Sequence, residues 1–114
     1  MGQYHELAPI TREEYLALFR DAADDRAGEA LLRLAWHEPE PTWAEQECAA
    51  ALTDPRLQVR RAAVRSSGHL ARRQKKLGGA TIRRLVALRT DADLEGYVED
   101  ALDDLAIFGR PSAQ

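Results

Sequence analysis

The side chains that could carry chemistry in this chain are few and scattered. His5, His37 and His69 are its only histidines and Cys48 its only cysteine. No histidine has a second ligand at helical spacing, and no HxxxH, HExxH or CxxC pattern occurs. The Trp36-His37-Glu38-Pro39-Glu40 stretch therefore does not read as a metal loop. Cys48 stands beside Ala49, Ala50 and Ala51 and reads as a packed core thiol rather than a nucleophile. Gly78-Gly79 is too short to cradle a phosphate and is accounted for as a helix stop. Glu99 and Asp103 sit one helical turn apart, with no apolar pocket in view that would raise either pKa. The expectation is a protein without catalytic residues, metal or cofactor.

Charge is the stronger signal. The formal net charge is −3, but it is distributed in blocks. Residues 56–89 hold eleven cations and no acid: Arg56, Arg60, Arg61, Arg65, Arg72, Arg73, Lys75, Lys76, Arg83, Arg84 and Arg89. Residues 91–105 hold seven acids and no cation, and residues 1–55 hold twelve acids against four arginines. At 100° per residue, Arg61, Arg65, Arg72 and Lys76 fall on one side of a helix, and Glu99, Asp100, Asp103 and Asp104 on one side of another. These eight residues are the candidate partner-binding set. The alternative is that such faces are simply solvated, their charges pairing across helix interfaces at about 0–1 kcal/mol each.

Six helical segments position these faces. The first opens at Thr11 with Glu14 three residues on, a capping-box pattern, and is expected to fray at Asp24-Asp25. The second runs from about Arg26 to His37 and is stopped by Pro39 and Pro41. The third begins at Thr42, with Glu45 again three residues on. The fourth follows Asp54-Pro55, reaches about Lys75, and turns Val59, Ala63, Ser66 and Leu70 inward. The fifth carries Ile82, Leu85, Val86 and Leu88. The sixth, with Leu94, Val98, Ala101, Leu102 and Leu105, keeps the 3.6-residue period without a gap. No alternating β-branched run appears, which argues against a sheet. Trp36 and Trp43 flank the proline-rich link, either wedging two hairpins together or, if exposed, anchoring a partner.

The stretch Leu52–Leu70, LTDPRLQVRRAAVRSSGHL, resembles a HEAT repeat, an α-solenoid helix pair: a turn aspartate at Asp54, an arginine six residues later at Arg60, and small buried residues at Ala62 and Ala63. Setting Val59 against Val98 and Ala62 against Ala101 gives a period of 39 residues, within the range of such units. The resemblance implies an all-α fold, a short α-solenoid of about three antiparallel helix pairs forming an α-α superhelix, of the small bacterial stand-alone type. It also implies a structural role for Asp54 and Arg60, with Asp54 capping the fourth helix or pairing with Arg60. Glu99 replaces the arginine in the third unit, so Asp91 is expected to matter less. The domain spans 11–108, between an N-terminal arm at 1–10 and a frayed tail at 109–114.

The expected function is that of a macromolecule-binding scaffold or adaptor, of the immunity or antitoxin kind that masks a partner. Two alternatives stand beside it: a nucleic-acid-binding module using the cations of 56–89, and a self-assembling structural protein. Aromatic residues are sparse and none lies between 44 and 96, which argues against base stacking. A protein partner, no membrane, and a monomer or weak homo-oligomer are expected. With one cysteine and no signal-peptide pattern at the N-terminus, the cytoplasm is the expected compartment.

Overall fold

Thr11 accepts a hydrogen bond from the Glu14 amide at 3.0 Å, and the Glu14 carboxylate accepts one from the Thr11 amide at 2.9 Å. This capping box starts the first of six helices in the computed structural model, which describes residues 7–108. In order they are α1 (Arg12–Asp21), α2 (Asp24–His37), α3 (Pro41–Ala51), α4 (Leu57–Gln74), α5 (Gly79–Ala87) and α6 (Glu95–Phe108), with a 3-10 turn at Leu88–Thr90. No strand occurs among the described residues.

Several boundaries differ from the expectation, each for a local reason. Asp24 and Asp25 do not end α1 but begin α2, where acids suit the positive end of the helix dipole. Pro41 takes the first position of α3, where it needs no amide partner. Glu45 is thereby released from capping its own helix. Its Oε2 accepts from the Gly78 amide at 2.7 Å and from the Thr81 hydroxyl at 2.6 Å, fastening the start of α5 to α3. Helix α4 stops at Lys75, which adopts φ 65°, ψ 21°, before the glycine pair is reached. Of the expected arm, residues 8 and 9 are tied to α2: Arg33 donates to the carbonyls of Ala8 (2.9 Å) and Pro9 (2.8 Å). The His37 ring also contacts the Leu7 carbonyl. The expected tail at 109–114 lies outside the described residues.

Helices α2, α4 and α6 form an inner row with α4 central, and α1 and α3 pack outside α2 and α4. The row is parallel. Gly28 near the start of α2 meets Gln58 and Ala62 near the start of α4, and Trp36 near the end of α2 meets His69. Val59, Ala63, Leu70, Leu85 and Val98 are fully buried. Leu102 and Leu105 are only half-buried, because among the described residues no further helix covers the far side of α6. Val86 is left 45% exposed on α5. Cys48 is buried, its thiol hydrogen-bonded to the Ala63 carbonyl at 3.0 Å, and burial pushes its pKa up to about 12.

Candidate functional site

Much of the acid-free block 56–89 works inside the fold, and the acceptors are backbone carbonyls. Arg73 donates to the carbonyls of Ala35 (2.7 Å) and Glu38 (2.8 Å), closing the C-terminal end of α2. Arg84 donates to the Ala49 carbonyl of α3 at 2.7 Å. Arg56 reaches the Phe19 carbonyl of α1 at 3.1 Å. Helix C-termini present carbonyls that lack intrahelical donors, so an arginine can satisfy them with no acid nearby. This accounts for part of the charge bias without a partner.

Asp54 and Arg60 meet, but not through the carboxylate. The Asp54 carboxylate accepts from the Arg56 amide (2.9 Å) and from the Arg56 guanidinium (2.9 and 3.0 Å). The side-chain bonds from Arg56 are the main reason its pKa lies below the ordinary value. Arg60 instead donates to the Asp54 carbonyl at 3.0 Å and extends to the Asp91 carboxylate at 3.6 Å. Asp91 is therefore engaged, by Arg60 from α4 and by the Asp93 amide of its own turn at 2.9 Å.

The remaining charges meet on the inner row. A groove of about 420 Å³ lies between α4 and α6, lined on one side by Arg65 and Arg72 and on the other by Asp100, Asp103 and Asp104. Arg72 pairs with Asp104 at 3.1 Å. Arg61 stands over the Tyr97 ring at 5.6 Å. On the other flank of α4, Asp25 and Glu29 of α2 face Arg61 and Arg65 across a second, smaller groove. A cationic ridge thus runs between two acidic ones. Two of the expected residues are elsewhere. Lys76 follows the left-handed stop at Lys75 and so leaves the helical register of the ridge. Glu99 turns away to pair with Arg89 at 2.9 Å.

Composition alone missed the aromatic part of this face. Tyr97 is 40% and Phe108 38% exposed, and Arg72 stands over the Phe108 ring at 5.5 Å. A signal was present: Arg61 and Arg72 are eleven residues apart, as are Tyr97 and Phe108, which is three helical turns. The two tryptophans separate in role. Trp43 packs edge-on to Tyr15 at 6.3 Å under Arg12, joining α3 to α1. Trp36 is 48% exposed and stacks on His69 at 3.8 Å. Among the described residues no three His, Cys, Asp or Glu side chains converge as a metal site, and no helix is long and apolar enough to cross a membrane.

No protein-family model matches the chain, and no curated protein matches it. Among solved structures it is similar to a chain in the crystal structure of a CDI complex from Cupriavidus taiwanensis. The two are 29% identical with a TM-score of 0.83, over 96% of this chain and 100% of the other.

Proposed function

We propose that this protein is an immunity-type binding protein of a contact-dependent inhibition (CDI) pair, working by docking on a toxin domain and masking it rather than by catalysis. The observation that carries this reading is the likeness, over nearly its whole length, to a chain crystallised within a CDI complex. The inner-row face supports it. A charged ridge between oppositely charged ridges steers encounter and rejects wrong partners, which a masking protein requires. The parallel row α2–α4–α6 and the Arg60 link from Asp54 to Asp91 are also what a short HEAT-like stack of three hairpins would present, and that architecture is part of the proposal.

The test is coexpression with the toxin domain encoded beside the chain's own gene. The pair is expected to elute as one complex, and growth arrest by the toxin to be relieved. Separate elution with unrelieved arrest overturns the reading. Nucleic-acid binding gains something from the arginine–aromatic pairs, which stacking bases can use. Against it stand the acids of α2 and α6 on both sides of the ridge, which repel phosphate.

A further inference from the structure

We infer that the α4–α6 groove is the seat for one extended segment of the protein partner, held at both ends by arginine–aromatic clamps and read in the middle by opposite charges. The inference rests on the proposed masking role and adds the site and the chemistry of what enters it.

The clamps are matched. Arg61 on Tyr97 and Arg72 on Phe108 are each separated by 36 residues in sequence, and both helices carry the two members eleven residues apart. At 1.5 Å per residue the clamps are about 16.5 Å apart along parallel helices. That distance suits about five residues of extended chain at about 3.3 Å each. The groove itself runs from Val64 to Arg72 on α4, about 12 Å, room for three or four residues of extended chain between the clamps.

Beyond the Arg72–Asp104 pair, the groove's charges are not spent within the chain. Arg65 is exposed, and neither it nor Asp100 or Asp103 forms an ion pair among the described residues. The Arg61 Nε is shut off from solvent with no hydrogen-bond partner among them. Complementarity therefore calls for an acidic side chain opposite Arg65, a basic one opposite Asp100 and Asp103, and flat or apolar groups against the rings of Tyr97 and Phe108.

Titration calorimetry with the toxin domain encoded beside this chain tests the seat. Combined Tyr97→Ala and Phe108→Ala is expected to weaken binding at least a hundredfold, and Arg65→Glu at least thirtyfold. Arg83→Glu, exposed on α5 and outside the groove lining, should change it less than threefold. Arg65 is itself exposed, so its variant keeps the test meaningful if the aromatic pair proves hard to fold. Tight wild-type binding that survives all the groove changes overturns the seat and leaves the masking role standing. No wild-type binding removes both. A shift of single-stranded oligonucleotide lost with Arg65→Glu would assign the groove to nucleic acid and also overturn the inference.

Discussion

His69 lies half-buried under the Trp36 indole. Burial first, and then the cations of Arg73 and Arg72, push its pKa from 6.5 down to about 4. Between those values the unfolded chain holds the proton and the folded one does not. Stability is therefore complete above about pH 6.5 and is lost as the pH falls toward 4. Glu38 and Asp54 have lowered pKa values, the first held mainly by Arg12 and the second by Arg56. Their contributions fade only as pH drops below the ordinary carboxylate value, so the loss between pH 6.5 and 5 comes from His69, opposed toward the lower end by Glu47, whose pKa burial raises. Urea unfolding is expected to show a loss on the order of 1 kcal/mol across that interval, discounted for partial exposure, and His69→Gln should flatten it. An equal slope in the variant would assign the loss to other groups. The turn aspartates make a second case. Since Asp91 holds Arg60 and also accepts from the Asp93 amide at 2.9 Å, Asp91→Ala and Asp54→Ala should each lower stability by about 1 kcal/mol. A negligible effect at Asp91 in thermal melts would mean that the Arg60 link is dispensable.

At the scale of elements, the crossings of the inner row are set by what is missing. A Cβ on Gly28 would lie 3.2 Å from both the Gln58 carbonyl and the Ala62 Cβ, so α2 approaches α4 at backbone distance there. Gly68 does the same for α6: a Cβ would lie 3.4 Å from the Ala101 Cα and 2.8 Å from the Asp104 carboxylate. Gly68 costs α4 some helix propensity, about 1 kcal/mol against alanine, and close packing offsets it. Gly28→Val should push α2 off the buried backbone of α4 and destabilise by about 1–3 kcal/mol, seen as a lower urea midpoint at an unchanged slope. An unaltered midpoint would show that the row can spread without cost. Val98→Asp tests the other side of α4. It would place an unpaired charge at a fully buried position and should cost about 3 kcal/mol or more, enough to unfold much of a small domain.

For the whole molecule, the ridge pattern predicts selectivity. Arg65→Glu with Arg72→Glu should leave the melting temperature within a few degrees, because Arg65 forms no ion pair among the described residues and Arg72, paired with Asp104, is itself 54% exposed. The same variant should lose the protein partner. The unmodified protein should not retard duplex or single-stranded nucleic acid at physiological salt. Retardation that weakens steeply as salt rises would instead assign the ridge to phosphate. The blocks of charge were legible in residue order, but their use was not. Whether an arginine serves a carbonyl, a carboxylate or a partner depends on which helix end lies beside it, as Arg73, Arg72 and Arg65 show in turn.

The helical period of Val98, Ala101, Leu102 and Leu105, the capping pair Thr11 and Glu14, and the breakers Pro39, Pro41 and Asp54-Pro55 determined by themselves an all-helical chain of six segments and most of its buried face. These are local signals, acting within one or two turns through backbone hydrogen bonding and side-chain periodicity. Tertiary structure alone decided that Glu45 fastens α5 rather than caps α3, that Arg60 answers Asp91, and that Glu99 turns outward to Arg89. It also brought Tyr97 and Phe108 under Arg61 and Arg72. Those pairings join residues 10 to 36 positions apart. What selects those between α4 and α6 is the offset between parallel helices, set where Gly68 lets the backbones touch, and no periodicity within a single helix carries that offset.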